Sequence, residues 1–360
     1  MKKTLNGVTL LALLLGLGLT SCSSEARDVC PTTELSDKEF TSTATIEAEE
    51  MPASTASPSQ PTVEEFRFQS GEFELVGNLY LPAGDGPFPA IIMVHGDGPA
   101  TRYGAVNYGS TVGIFQRNGY AVYSWDKPGS GESSGELDEE WRVTQRAAIL
   151  ADGIEALGEL PAIDSTRIGL WGISQAGWVM PMALELSDDV TFMIVLSGGA
   201  EDGFEQGAFL MGKKVIRDGA TAEQGALVEQ YGPQAYKATS YAEYREAMEI
   251  LIEIPELHVY YNLEIAEEEE WEPLSRDHGD SFFNPMDVIE HTTIPILAIF
   301  GELDISIDPV QGAEAYLDAC QRAGNQDCQI ETLSGRGHVF TYAPPYLEIL
   351  EEWIQHLPQP

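Results

Sequence analysis

The chain has 360 residues, 43% of them hydrophobic, and a net charge of −39 at neutral pH. That length and apolar content fit one large core or two modest ones and exclude a disordered chain. So acidic a surface repels nucleic acid and anionic membranes, so nucleic acid is excluded as a partner.

The chain begins with Lys2 and Lys3, an apolar run, then Thr20 and Ser21 before Cys22, the pattern of an export signal that is cleaved rather than membrane-spanning. Leu19, Thr20, Ser21 and Cys22 resemble the bacterial lipobox. That resemblance implies a lipoprotein signal peptide over residues 1–22, acylation of Cys22 and a bacterial cell-envelope address, anchored in the lipid bilayer. The alternative is an ordinary signal peptide with an incidental cysteine. Loss of Lys2 and Lys3 with the leader makes the mature chain two charges more negative. Only seven lysines occur in the sequence, and an acidic surface poor in lysine suits work in high salt.

Residues 23–62 are rich in Ser, Thr, Pro, Ala and Glu without apolar periodicity, and are expected to form a disordered tether. Residues 63–360 are expected to form the folded domain. "EEFRFQS" and "EFELVGNLYLP" alternate as an antiparallel pair of strands. Apolar runs of strand length follow: "PAIIMVHG", "GYAVYSWD", "RIGLWG", "VTFMIVLSG", "IPILAIFG" and "CQIETLSG". Most are separated by helical stretches, which predicts an α/β fold with a mostly parallel, buried sheet and helices on both faces. The segment from about 201 to 290 breaks this alternation with helices and loops, and is expected to be a helical cap over the active-site end. Its acidic run, Glu267 to Glu270, reads as a solvated cap edge rather than a calcium site.

In parallel sheets chemistry collects where strands end at their carboxyl side. Here those ends carry "HGDGP", "DKPGSGESSG", "GISQAG", "GELDISID" and "GRGH". Gly172 and Ser174 fit the first half of a G-x-S-x-G nucleophile elbow, with Ala176 in the second glycine position. One added methyl is tolerable if Gly172 and Gly177 relieve the crowding. On these motifs residues 63 to 358 resemble the α/β-hydrolase superfamily, and look most like bacterial secreted esterases related to dienelactone hydrolases and acyl-peptide hydrolases. The resemblance implies Ser174 as nucleophile, Asp304 as the acid and His338 as the base, in the chain order expected for the fold. Asp308 competes for the acid, and His258, His278 and His291 are weaker alternatives for the base. The oxyanion hole would use the N–H groups of Gln175 and Asp97, with the Asp97 carboxylate turned away from the cleft. His95 reads as a structural loop histidine, and Asp126 and Lys127 as loop braces.

Cys320 and Cys328 flank a helix-to-strand turn and are expected to pair, free thiols being the alternative; Cys30 is then left over. The six histidines and four cysteines show no metal-ligand spacing, so neither metal nor cofactor is expected. The reading is a serine esterase acting on small, neutral, short to medium acyl esters. A peptidase or aminoacyl hydrolase with the same triad is one alternative, and a non-catalytic surface-binding lipoprotein another.

Overall fold

The computed structural model of the chain describes residues 60–104, 108–274 and 279–357. The leader, Cys22, Cys30, residues 23–59 of the tether and His278 lie outside the described residues. β1 (Thr62–Ser70) and β2 (Phe73–Leu81) pair antiparallel, so the sheet opens one residue ahead of the expected boundary. β2 also runs antiparallel to β4 (Ala121–Trp125). The remaining pairs are parallel: β3 (Phe88–Val94), β5 (Ile163–Ile173), β6 (Val190–Leu196), β7 (Ile296–Gly301) and β8 (Cys328–Leu333) complete the order β1-β2-β4-β3-β5-β6-β7-β8.

The two-residue period of a strand divides its side chains between the faces. Ile91, Met93, Val122, Trp171 and Ile194 face one core, while Ala90, Ile92, Tyr123, Leu170 and Met193 face the other. Each such fully buried large aliphatic side chain contributes about 1.5–3 kcal/mol. Helices cover both faces: α1 (Gly109–Arg117) lies over the first core, α2 (Arg142–Gly158) and α3 (Ala176–Leu184) over the second.

After β6 come three helices, each opened by a side-chain cap. Asp202 accepts from the N–H groups of Phe204 and Glu205 at the start of α4 (Gly203–Arg217). Thr221 and Gln224 form a capping box on α5 (Ala222–Lys237), and Ser240 caps α6 (Tyr241–Leu251). These helices share a separate apolar cluster including Met211, Val215, Val228, Tyr244, Met248 and Leu251. Glu267 to Glu270 are exposed. The short α7 (Met286–Ile289) buries Met286 and Ile289 in the core of the sheet, so the inserted segment ends before them and short of residue 290.

α8 (Pro309–Ala323) covers the second core and α9 (Pro344–His356) the first. β8 corrects one expectation. Its sequence predicts a buried strand, yet Gln329 and Thr332 are not buried, because β8 is the edge of the sheet and pairs on one side only. A disulfide joins Cys320, near the end of α8, to Cys328, the first residue of β8. Closing so short a loop restricts the unfolded chain by about 2–3 kcal/mol.

Candidate active site

Ser174 follows the last residue of β5 and precedes α3, and its φ is +60°. A left-handed serine costs about 1–2 kcal/mol and persists only where its surroundings impose it. They do so through hydrogen bonds: the Ser174 N–H donates to the Leu196 carbonyl at 2.9 Å, and the Gly177 N–H donates to the Ser174 carbonyl at 2.8 Å. The missing glycine at position 176 is explained by its neighbours. A Cβ on Gly172 would lie 2.5 Å from the Ala176 Cβ, so the methyl of Ala176 occupies space that Gly172 leaves empty. Gly177 takes over the close approach, since a Cβ there would collide with the Gly199 nitrogen.

Asp304 and His338 come from the loops after β7 and β8. The two loops are stitched together, with the Leu303 N–H donating to the Arg336 carbonyl at 2.7 Å. His338 Nδ1 lies 2.8 Å from Asp304 Oδ2. The other carboxylate oxygen accepts from the N–H groups of Ser306 at 2.7 Å and Ile307 at 3.1 Å, which fixes the plane of this buried group. Asp308 serves the helix instead: its Oδ1 accepts from the N–H groups of Val310 and Gln311 and caps α8. His258 bonds the Ile252 carbonyl in the inserted segment, and His291 is exposed.

The loop after β3 runs beside the elbow, where a Cβ on Gly96 would sit 3.2 Å from the Cβ of Ser174. Asp97 directs its carboxylate into a polar network, accepting from Arg142 Nη1 at 3.0 Å and from Gln175 Nε2 at 3.1 Å. Gln175 Oε1 accepts from Arg146, which also donates to the His95 carbonyl. His95 donates from Nε2 to the Trp125 carbonyl at 2.8 Å. Burial, with Lys127 and Arg146 nearby, holds its imidazole down at about 4, so it is neutral and structural. Asp126 braces the next loop, accepting from the N–H groups of Arg102 and Glu132. Lys127 reaches back to the carbonyls of Gly96 and Gly98.

The inserted helices meet the loop after β7. Gln206 Nε2 donates to the Ser306 carbonyl at 2.9 Å, and Trp178 Nε1 donates to the Glu201 carbonyl at 2.8 Å. Burial first, then Glu205, Asp308 and Asp202, push the Glu201 carboxyl up to about 8. Lys237 partly offsets this acidity by pairing with Asp202 and Glu205.

Sequence reasoning missed Arg142, Arg146 and Glu201. For Arg146 a signal existed: it stands at helical spacing from Leu150, Ile154 and Leu157, a charge on the apolar stripe of α2. Glu201 and Arg142 carried no local signal. Among the described residues no group of three or more His, Cys, Asp or Glu side chains is placed to hold a metal.

Solved structures establish the fold. An esterase from Pyrococcus furiosus superposes with a TM-score of 0.53 at 13% identity, over 82% of this chain and 91% of that one. The α/β hydrolase GrgF from Penicillium sp. sh18 gives 0.50 at 22% identity, over 82% and 98%. The chain has the α/β-hydrolase fold, and here the likenesses establish fold alone. In sequence, the model of the family described as Esterase FrsA-like matches residues 29–199, a segment that holds Ser174, Gln175 and Asp97 but not Asp304 or His338. Esterase FrsA of Escherichia coli is 34% identical over 104 residues, 28% of this chain and 23% of that protein. The thiohydrolase aneE of Aspergillus aculeatus is 35% identical over 104 residues, 29% and 31% of the two chains. These alignments span less than a third of the length of either curated relative.

Proposed function

We propose that this protein is a serine hydrolase that cleaves neutral, short to medium acyl carboxylic esters through an acyl-enzyme on Ser174. The observation that carries the reading is the 2.8 Å contact between His338 Nδ1 and Asp304 Oδ2, made in the loops after β7 and β8 of the sheet whose β5 leads into Ser174 at φ +60°. With Nδ1–H donated to Asp304, the free Nε2 of His338 is the nitrogen that takes the Ser174 proton as the hydroxyl attacks the ester carbonyl. Asp304 fixes the tautomer and stabilises the imidazolium. His338 then returns the proton to the leaving alkoxide, and water repeats the sequence to release the acid. The N–H groups of Asp97 and Gln175 serve the oxyanion.

The test is a hydrolysis screen over ester chain lengths, acetylated sugars, thioesters and aminoacyl amides, run beside fluorophosphonate labelling. Thioesters belong in it because one relative is named a thiohydrolase. Ester turnover with label on Ser174 supports the reading. No label on folded protein refutes it and favours a binding role; amide turnover alone favours a peptidase. Attachment to a bacterial envelope through an acylated Cys22 is part of the proposal, and a fatty-acid label absent from wild-type protein made in a bacterial host would remove it.

A further inference from the structure

We infer that Arg146, acting with Lys127, is the positioning residue of the oxyanion pocket, holding the peptide groups of the His95–Gly98 loop and the Gln175 side chain so that their donors face Ser174. This rests on the serine-hydrolase reading above. Both cations are buried, at 5% and 6% exposure. Burial of a charge is costly unless it is paired and hydrogen-bonded. The partners of these two are neutral. Arg146 donates to the carbonyls of His95 and Gly96 and to the amide oxygen of Gln175. Lys127 donates to the carbonyls of Gly96 and Gly98. The carboxylate acting on both is Asp97, which is itself bonded to Arg142 and Gln175.

The geometry follows from the peptide bond. In a trans peptide the C=O and the next N–H point in opposite directions. The Gly96 carbonyl is drawn inward by Lys127 and Arg146, so the Asp97 N–H in the same peptide plane points the other way. A Cβ built on Gly96 would sit 3.2 Å from the Ser174 Cβ, so this peptide borders the nucleophile. The His95 carbonyl, held by Arg146, orients the Gly96 N–H by the same rule. Gln175 is gripped at both ends, Oε1 by Arg146 and Nε2 by Asp97, which fixes the residue whose N–H is the second donor.

The charges answer a second problem. A carboxylate on the oxyanion loop would oppose the developing negative charge, but the two guanidinium groups of Arg142 and Arg146 outnumber Asp97, while burial holds the Lys127 amine well below its usual range. In a chain with 58 acidic and 19 basic side chains, two arginines converge on this one loop. Burial lowers the Arg146 guanidinium to about 10, so it stays charged at neutral pH.

The experiment uses the full chain with Arg146→Met, Arg146→Lys and Gln175→Ala. It reads kcat and KM on a neutral aryl ester per fluorophosphonate-titrated site, with the inhibition constant of a trifluoromethyl ketone of the same acyl chain. Removing one oxyanion donor costs roughly 10²–10³-fold in kcat. Arg146→Met is expected to approach that loss, with KM changed less than about threefold and ketone binding weakened in proportion to kcat/KM. Arg146→Lys should fall between, since one ammonium cannot reproduce the guanidinium fork. A merely structural arginine would reduce the number of titrated sites and leave kcat per site intact, and that result overturns the inference. Should Arg146→Met fail to fold, Gln175→Ala decides: about tenfold lower kcat at unchanged KM supports the inference, and unchanged kcat refutes it. Wild-type protein that neither takes the label nor turns over ester would bring down the hydrolase reading first, before any variant is compared.

Discussion

Asp304 and Asp308 stand four residues apart in one loop and do different work, which makes the pair a sharp test of the site. Asp304→Asn should lower kcat by about 10³–10⁴-fold through the wrong imidazole tautomer. Asp308→Asn should leave turnover nearly unchanged, with at most about 1 kcal/mol lost from the α8 cap. Ser174→Ala and His338→Ala should each abolish ester turnover, and the double variant should be no worse, because nucleophile and base act as one unit. Steady-state kinetics with thermal unfolding separates these outcomes; damage from Asp308→Asn instead of Asp304→Asn would reassign the acid. Glu201 supports a prediction of stability. Its carboxyl is raised from 4.5 to about 8 in the folded chain, so between these values the native state holds a proton that the unfolded chain releases. Its contribution is therefore complete below about pH 4.5 and is lost as pH rises through about 8, on the order of 3–5 kcal/mol. Unfolding temperatures of wild type and Glu201→Gln at pH 5 and pH 8.5 measure it: the variant should lose less between the two. Parallel losses would show that Glu201 ionises as it would in water.

The elbow is an element-scale device, a strand and a helix meeting at angles that leave no room for side chains. Gly177 packs on the Gly198–Gly199 backbone and Gly172 on Ala176. Gly177→Ala should cost about 1–3 kcal/mol, because the obstructing atoms are backbone and cannot rotate away, and should lower kcat by moving Ser174. Ala176→Gly should cost no more than about 1 kcal/mol and leave kcat within a few-fold, since it removes a methyl rather than adding one. Chemical denaturation and ester turnover of the two variants test this directly. If Gly177→Ala were silent and Ala176→Gly inactivating, the methyl of Ala176 would be shaping the elbow in a way its contacts do not explain.

Across the whole molecule the dominant quantity is charge. A net −39 and the exposed run Glu267 to Glu270 set a negative potential against anionic ligands. Neutral esters should therefore be preferred to acyl-coenzyme A of the same chain length, and the preference should shrink toward 1 M salt, where the Debye length falls to about 3 Å. Rates for both substrates at low and molar salt test it; faster hydrolysis of the coenzyme A ester at low salt would reject the idea. Arg142 offsets the Asp97 carboxylate, which also accepts from the Gln175 amide, so the oxyanion loop carries less net negative charge than the body around it.

The eight strands in chain order, the mostly parallel sheet and the strand-end loops holding Ser174, Asp304 and His338 were legible in the sequence, because apolar period, glycine punctuation and motif spacing are local properties of a chain; the place of β4 between β2 and β3 was not. The helices of the inserted segment were legible for the same reason. The exposure of β8 was not, since an apolar run does not say whether a strand has one neighbour or two. Nor was the end of the insertion, because Met286 and Ile289 look the same whether they pack on cap or sheet. The division of labour between Asp304 and Asp308 became visible only where the loops after β7 and β8 meet, across 34 residues of chain. Arg146 shows the limit most clearly: its place on the apolar stripe of α2 marks it as odd, but the carbonyls and amide it holds come from the loop after β3 and the elbow, 29 to 51 residues away. Hydrogen bonds act through space over about 3 Å, and only the folded chain decides which distant groups come within that reach.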